Sequence, residues 1–300
     1  MKLIITPDHG LTPLVQAVRS AKKTLDILIF RFDRVELEKA IAAAVARGVV
    51  VRALIAHTNR GGEKILRKLE ARLLTYGVTV SRTADDLPRY HGKMMIVDQK
   101  LYLFGFNYTK LDIDKSRSFG IITTDKRLVK EAAALFEADR TRQPYVPGHD
   151  RLVVSPQTSR AILTAFLQKA TKELLIYDAK ISDRLILRLL AERAKAGVRI
   201  RMFGKLGKGV GGIDVRKLPD LRLHLRAIIR DGSAAFMGSQ SLRKLELDGR
   251  REIGVIIKDA KVARQMQAVF ETDWAHATEG QEVVQPKERE KEKERAISGA

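Results

Sequence analysis

The sequence predicts an α/β protein built from two similar lobes, each a largely parallel or mixed sheet flanked by helices. Three observations support this prediction. Strand-like and helix-like apolar patterns alternate along the chain, the order of these patterns in the first half returns in the second, and matched positions keep constant spacings. Alternating strands and helices are typical of α/β folds, and an ordered set of matched positions indicates an internal duplication.

The elements of the two halves follow the same order. In the first half, apolar positions at helical spacing over residues 11–24 precede a strand-like run at 25–32, a helical pattern at 36–47 and a strand-like run at 49–55. The second half repeats this order with a helix over 162–167, a strand over 174–178, a helix over 184–196 and a strand over 198–203. A glycine directly after the second helix of each half predicts a helix end there.

The spacings locate the differences between the copies. Gly48 and Gly197 are 149 residues apart, whereas His91 and His224 are 133 apart and later matched positions are 134 apart. The second copy therefore lacks sixteen residues ahead of its histidine, and the first copy lacks one residue just after Gly105.

Two prolines and a glycine within residues 143–148 predict the boundary between the copies. We expect a first repeat over 1–146 and a second over 147–277. Residues 278–300 alternate basic and acidic side chains without an apolar period, so we expect a charged, disordered tail.

Composition limits the class of protein. The chain has 300 residues, of which 45% are hydrophobic, enough for two domain-sized cores. It has no cysteine, which excludes a disulfide framework and thiolate metal sites. No apolar run reaches the length of about 18 residues that a membrane span requires, and the start is too short for a signal peptide. We expect a cytoplasmic protein, either free or peripheral at the inner face of the membrane.

The formal net charge of +20 predicts a polyanionic partner. Basic residues cluster on the part of the chain predicted to fold, in particular between residues 205 and 230. Such a surface attracts anionic phospholipid or nucleic acid. The alternative is a basic, well-solvated protein without such a partner.

Each half carries one copy of a short motif in which a histidine is followed two residues later by a cation and five residues after that by an aspartate. In a strand, residues i and i+2 share a face, so each imidazole and its cation are expected to point the same way. The motif residues are His91, Lys93 and Asp98 in the first copy and His224, Arg226 and Asp231 in the second.

Two such copies suit chemistry on a phosphodiester. One neutral imidazole can attack phosphorus while the other, protonated, donates a proton to the leaving oxygen. The neighbouring cations would neutralise the phosphate oxygens, so no metal ion or other cofactor is required. Because one copy supplies only one histidine, we expect the active site where the two copies meet, about a pseudo-twofold axis.

These motifs resemble those of the phospholipase D superfamily, whose signature is two HxKxxxxD motifs from two like domains. The resemblance covers residues 1–275 and is closest to the branch of phosphatidylserine, phosphatidylglycerophosphate and cardiolipin synthases. It implies that one histidine forms a phosphohistidine and the other is the general acid, and we favour His91 as the nucleophile. It also implies that Lys93 and Arg226 bind phosphate, and that Asp98 and Asp231 are catalytic or structural.

The resemblance implies further site residues. Asn107, Ser239 and Ser241 match polar positions that hold phosphate, and Glu252 matches an acidic residue that orients a histidine. The chain departs from the family pattern where Arg226 replaces a lysine. It also has Ser118 opposite Glu252, from which we expect His91 to lack a matching carboxylate.

The favoured function is a metal-independent phosphodiesterase or transphosphatidylase that cleaves or transfers a phosphatidyl group. The alternatives are a nuclease of the same superfamily and a non-catalytic module that binds polyanions. The motifs do not distinguish these substrates, because they handle only the reacting phosphate. The sequence does not distinguish hydrolysis from transfer to an alcohol, and it does not predict the oligomeric state.

Other patterns are less specific. Residues 65–76 form a basic amphipathic segment that suits either docking on a membrane or ordinary packing on a sheet. Residues 207–212 match GxGxxG, but the following segment is a poor helix, so we expect a loop beside the active site rather than a dinucleotide site. His9, His57, His149 and His276 lack metal-ligand spacing, so we expect surface or structural roles.

Overall fold

Each half of the chain builds one mixed sheet with helices on its faces, as seen in a computed structural model that describes residues 1–58, 62–208 and 210–277. The predicted disordered tail lies outside the described residues. The first half contains β1 (Lys2–Thr6), α1 (Thr12–Arg19), β2 (Thr24–Ile29), α2 (Val35–Ala46), β3 (Val50–Ile55), α3 (Glu63–Thr75), β4 (Thr79–Arg82), β5 (Met94–Val97), β6 (Lys100–Phe104), α4 (Lys110–Asp114), β7 (Ser116–Thr123) and α5 (Lys126–Thr141).

The second half repeats these elements in the same order, except that it lacks a counterpart of α3 and has the additional short strand β12. It contains β8 (Leu152–Val154), α6 (Ser159–Gln168), β9 (Glu173–Ile181), α7 (Arg184–Lys195), β10 (Arg199–Leu206), β11 (Ile213–Arg216), β12 (Arg222–Leu223), β13 (Arg226–Arg230), β14 (Ala234–Gly238), α8 (Lys244–Asp248), β15 (Ile253–Ile257) and α9 (Ala260–His276). The predicted boundary between residues 146 and 147 falls in the irregular stretch between α5 and β8.

The two sheets have matching topologies, which confirms the predicted pair of duplicated lobes. The first has the order β1-β7-β6-β5-β2-β3-β4, and the second has the order β8-β15-β14-β13-β9-β10-β11. Pairing is parallel from β2 to β3 to β4 and from β9 to β10 to β11, and antiparallel between the other neighbours along each order. The sheets are therefore mixed, because only the strands joined by a helix or a crossover loop run parallel.

Helix α3 accounts for the sixteen residues that the second copy lacks. In the first lobe α3 connects β3 to β4, whereas in the second lobe the described part of residues 207–212 connects β10 to β11 without a helix. The predicted amphipathic segment packs as an ordinary lobe helix, because Leu66, Leu69 and Leu73 are buried against the first sheet. Ile65 and Leu74 are exposed.

Strand β11 also settles how the GxGxxG segment continues. Residues 213–216 form a strand parallel to β10 rather than a helix. A dinucleotide site needs a helix N-terminus directly after its glycines. The strand therefore agrees with the prediction that the segment after the glycines is not a helix, and Gly209 itself lies outside the described residues.

Among the residues that the structure describes, the buried apolar side chains form three clusters. Helices α1, α2 and α3 cover the outer face of the first sheet, and α6 and α7 cover the outer face of the second. The third cluster joins the inner faces of both sheets to α5 and α9. Since this cluster draws on both halves of the chain, the two lobes share one core. No helix among the described residues has the length and apolar character needed to cross a bilayer.

Candidate active site

Two short parallel pairings cross from one lobe to the other and bring the motif segments together. Tyr90 forms a bridge with Arg251, and in β12 Leu223 pairs with Arg117 of β7. Tyr90 and Leu223 each directly precede a motif histidine, and Arg251 and Arg117 lie at the same place in their own lobes. The two crossings are therefore equivalent, and they place both histidines where the lobes meet.

His91 lies in an extended stretch just ahead of β5, not inside the strand. Its backbone N–H donates to the carbonyl of Arg251 at 2.7 Å, and its Nδ1 is 2.8 Å from Oε2 of Glu252. The Phe30 ring packs against the imidazole in a T-shaped contact with centroids 4.5 Å apart. Backbone, carboxylate and ring together fix the orientation of the imidazole.

The expectation that His91 lacks a carboxylate partner is wrong. Each motif histidine faces the other lobe, so Glu252 of the second lobe serves His91 of the first. Ser118 directly follows Arg117, as Glu252 follows Arg251, so Ser118 stands in the equivalent position relative to His224. The histidine without a glutamate at this position is therefore His224.

His91 is neutral at physiological pH. Burial lowers its pKa well below the usual value, and the charges of Lys93 and Arg226 lower it further. An ionised Glu252 would accept the Nδ1 proton of the neutral ring, and in that tautomer the lone pair lies on Nε2. Burial raises the pKa of the Glu252 carboxyl, while the charge of Lys93 opposes this shift.

His224 is also buried, but its carboxylate contact is longer. Its Nδ1 lies 3.4 Å from Oδ2 of Asp112 on α4. Burial lowers the pKa of His224 well below the usual value, and Asp112 raises it in part. Sequence reasoning missed Asp112; the one available signal was the acidic residue Glu246 at the matched position 134 residues later.

The two motif cations are held differently. Lys93 is 1% exposed, donates from Nζ to the carbonyl of His91 at 2.6 Å and lies 5.2 Å from the centroid of Phe30. Burial lowers its pKa well below the usual value. Arg226 is only partly buried, and its Nε donates to Ser241 Oγ at 3.2 Å. The Arg226 charge lowers the pKa of both His91 and His224.

The predicted phosphate-binding polar residues all lie at this interface, in buried hydrogen-bond networks. Asn107 donates from its side-chain amide to Asp112 at 2.6 Å. Ser241 donates to Asp178 at 2.7 Å, so Asp178 is a further buried carboxylate that sequence reasoning missed. The hydroxyl of Ser239 donates to the backbone carbonyl of Ile253 in strand β15 and accepts the backbone N–H of the same residue.

The motif aspartates lie at the opposite ends of β5 and β13 from the histidines, where their contacts favour the structural alternative over the catalytic one. Asp98 and Asp231 follow the far ends of β5 and β13 and adopt left-handed φ values of 53° and 52°. The Asp98 carboxylate accepts backbone N–H groups of residues 22–24, and that of Asp231 accepts those of residues 171–173. Both carboxylates therefore hold the turn ahead of a central strand.

Three of the other four histidines make contacts with nearby backbone groups. The Nδ1 atoms of His9 and His149 each accept a nearby backbone N–H at 3.0 Å, and His276 contacts the carbonyl of Thr272. Within the described ranges, no three His, Cys, Asp or Glu side chains lie close enough together to hold a metal ion.

The site as a whole is cationic. Arg89 and Arg250, in addition to the two motif cations, lower the pKa of His91. These basic side chains favour a bound anion with several oxygens, while the carboxylates of Glu252 and Asp112 each face one imidazole. The arrangement can bind a phosphate and present it to Nε2 of a fixed, neutral imidazole.

Comparison with known proteins identifies the family. The family model described as cardiolipin synthase, PLD-like domain, matches residues 14–140 and 204–274, which together exceed half of the chain. Mitochondrial cardiolipin hydrolase of Danio rerio is 30% identical over 127 residues, 41% of this chain and 55% of that protein. The chain therefore spans about half the length of this curated relative.

Solved structures share the fold. Polyphosphate kinase of Porphyromonas gingivalis superposes with a TM-score of 0.75 at 17% identity, covering 91% of this chain and 50% of that one. Phosphatidylserine synthase of Haemophilus influenzae Rd KW20 gives 0.68 at 12% identity, covering 92% and 86%. These likenesses confirm the predicted fold class.

Proposed function

We propose that this chain, which belongs to the cardiolipin synthase, PLD-like domain family of the phospholipase D superfamily, is a phosphodiesterase or transphosphatidylase that acts on phospholipid through a phosphohistidine. The observation that carries the proposal is the 2.8 Å contact between His91 Nδ1 and Glu252, which fixes the imidazole of one lobe through a carboxylate of the other. The proposal assigns the nucleophile to His91.

In the first step, the lone pair on His91 Nε2 attacks phosphorus and forms an N–P bond. The P–O bond to the leaving alcohol breaks with its electron pair on oxygen, and His224, protonated, donates its Nε2 proton to that oxygen. Glu252 stabilises the positive charge that develops on the His91 ring, as a carboxylate does in other imidazole-based catalysts.

In the second step, the oxygen of water or an alcohol attacks phosphorus and passes its proton to His224. The N–P bond breaks and returns its electron pair to His91 Nε2. Both steps pass through a phosphorus centre that gains negative charge on its oxygens. Lys93 and Arg226 are the cations placed to stabilise that charge.

Phospholipid is favoured as the substrate class by the family model and by one relative, and the net charge is compatible with it. The family model is that of cardiolipin synthases, and the 127-residue match is to a cardiolipin hydrolase. The net charge of +20 suits an anionic membrane surface. The same charge also suits nucleic acid, which makes a nuclease the second candidate.

The test is turnover by purified protein in EDTA on vesicles of anionic phospholipid with glycerol, in parallel with single- and double-stranded DNA. His91→Ala should abolish headgroup release while leaving the fold intact, and His276→Ala, which changes an exposed histidine at the end of α9, should not affect it. Exchange of the headgroup for glycerol would identify a transferase, and release without exchange a hydrolase.

Three results would contradict the proposal. Cleaved DNA with untouched lipid would make the chain a nuclease. Binding of DNA or of vesicles without turnover would favour a polyanion-binding module. Wild-type rates in folded His91→Ala would exclude this histidine as the nucleophile.

A further inference from the structure

We propose that Asp112 is the positioning residue of the second histidine. From α4, its carboxylate orients His224, just as the carboxylate of Glu252, at the start of β15, orients His91. This inference rests on the proposed function, since it concerns the histidine that exchanges a proton with the leaving and entering oxygens. It also means that the two halves of a symmetric fold supply the two carboxylates from non-equivalent places.

The first argument is that the position related to Glu252 by the pseudo-symmetry offers His224 no carboxylate. Ser118 occupies the position equivalent to Glu252, and a serine hydroxyl carries no charge. Its Oγ is buried and has no hydrogen-bond partner among the described residues. His224 therefore receives no carboxylate from the place where the symmetry would supply one.

The second argument is the geometry of Asp112. Its Oδ2 lies 3.4 Å from His224 Nδ1, and this buried nitrogen has no hydrogen-bond partner within the described part of the chain. Catalytic hydrogen bonds are often long in empty sites and shorten when substrate binds. Glu246, at the matched position of the second lobe, pairs instead with Arg243 and Arg250.

The third argument is charge. Asp112 accepts hydrogen bonds from the backbone and side chain of Asn107 and from Arg222. Burial raises the pKa of the Asp112 carboxyl, but the charge interaction with His224 and these hydrogen bonds bring it below the usual value, which favours the ionised form. A permanent negative charge beside Nδ1 favours the imidazolium form of His224.

The groups that face His224 explain how it can be protonated when needed. Burial and the charges of Arg226, Lys93 and Arg222 favour the neutral ring in the empty site, while Asp112 opposes them. A bound phosphodiester would offset the Arg226 and Lys93 charges. The Asp112 charge would then act with less opposition, and His224 could hold the proton that it gives to the leaving alcohol.

The experiment compares Asp112→Asn with Asp114→Asn, a control carboxylate on the same helix that is 43% exposed and pairs with Arg34. Both are assayed on phosphatidylglycerol vesicles, whose leaving alcohol needs a proton, and on bis(p-nitrophenyl) phosphate, whose leaving group does not. The ratio kcat/KM reports the first half-reaction, in which the leaving group departs.

Asp112→Asn should lower kcat/KM on the vesicles about 100-fold, the lower end of a general-acid contribution, and leave the value on the p-nitrophenyl ester within about threefold. Asp114→Asn should match the wild type on both. In the double variant Asp112→Asn with Ser118→Glu, a carboxylate returns at the symmetric position and the rate on vesicles should recover at least about tenfold.

A second readout does not depend on turnover. The pKa of the His224 imidazole, followed by NMR in saturating inorganic phosphate, should be lower in Asp112→Asn than in the wild type and unchanged in Asp114→Asn. If Asp112→Asn does not fold, Asp112→Glu, which keeps the charge and moves the carboxylate, must show the same selective loss on vesicles.

Equal losses on both substrates would overturn the inference, because a structural role would lower them together. An unchanged His224 pKa, or wild-type rates in Asp112→Asn, would also overturn it. A wild-type protein that turns over neither probe would refute the proposed function and this inference together. If the wild type is active and Asp112→Asn is equally active on the vesicles, the inference alone is refuted.

Discussion

Lys93 is the residue at which stability and activity oppose each other. Its ammonium is almost fully buried, and the hydrogen bond that the structure gives it goes to a backbone carbonyl rather than to a carboxylate. A buried charge without a direct counter-ion is destabilising, which is why the pKa of this lysine lies well below its usual value. Such strain is expected where a cation is kept ready for an anionic substrate.

We therefore predict that Lys93→Met raises the free energy of unfolding by about 1–2 kcal/mol, since an apolar chain of similar length replaces a desolvated ammonium. The same change should lower headgroup release at least about 100-fold, because one of the two cations proposed to bind phosphate is lost. Urea denaturation and the vesicle assay measure the two effects.

The control is Lys258→Met, at a lysine whose side chain is 63% exposed, which should leave both quantities near the wild-type values. A less stable Lys93→Met variant would show that the ammonium contributes net stability to the fold and contradict the argument.

At the scale of elements, the motif aspartates tie a turn to the start of a central strand. Asp231 accepts backbone N–H groups at Thr171, Lys172 and Glu173, immediately ahead of and at the start of β9, and Asp98 does the same ahead of β2. An ionised acceptor with several donors is among the stronger hydrogen-bonding groups in a protein. These aspartates therefore belong to the machinery that positions strands, not to the machinery that handles phosphate.

Asp231→Ala is predicted to lower the free energy of unfolding by about 2–3 kcal/mol, from the lost charge-assisted hydrogen bonds. The folded fraction should keep its kcat on vesicles. Chemical denaturation followed by circular dichroism, with the vesicle assay under native conditions, tests both statements.

Asp220→Ala is the matched control, because Asp220 is exposed and has nearly the same left-handed φ, 55°. It carries the same backbone penalty for alanine, so the difference between the two variants isolates the hydrogen bonds. A large loss of kcat in folded Asp231→Ala would contradict the structural role and indicate that this residue takes part in catalysis.

At the scale of the whole molecule, the lobes are joined by more than the active site. The inner cluster includes side chains of both sheets and of α5 and α9. A buried ion pair joins Arg251 of the second lobe to Asp139 on α5 at 3.0 Å, and Arg251 is also the residue whose backbone binds His91. The contacts that hold the lobes together are thus continuous with those that assemble the site.

This shared core predicts that the protein unfolds in one cooperative transition rather than lobe by lobe. Trp274, the single tryptophan, packs in the inner cluster against Phe203 and Phe270. Its fluorescence should report the same midpoint in urea as far-UV circular dichroism, which averages both lobes. Two separated midpoints would show that each lobe unfolds independently.

Much of the fold could be predicted from the sequence. The duplication, the order of strands and helices, and the two histidine motifs depend on patterns within short stretches or on constant offsets between them, as for Gly48 with Gly197 and His91 with His224. The second copy has no counterpart of helix α3, and this difference was visible in the sequence as a deletion of sixteen residues. Local periodicity and register are properties of contiguous residues, so a single chain reveals them.

The partners of the histidines could not be predicted in this way. His91 and Glu252 are 161 residues apart, and they meet because each motif segment crosses to the other lobe. Alignment of the copies pairs Glu252 with Ser118 and suggests the wrong histidine, because it compares equivalent places within lobes and carries no information about contacts between them. Asp112 was missed for the same reason.

The sequence by itself determined that this is a duplicated α/β protein of the phospholipase D type with one histidine motif in each half. Only the tertiary structure decided which carboxylate faces which imidazole, that Lys93 is buried, and that Asp98 and Asp231 hold turns. The physical reason is that apolar periodicity specifies each lobe locally, whereas the docking of the lobes sets the distances, burial and charges from which the chemistry follows.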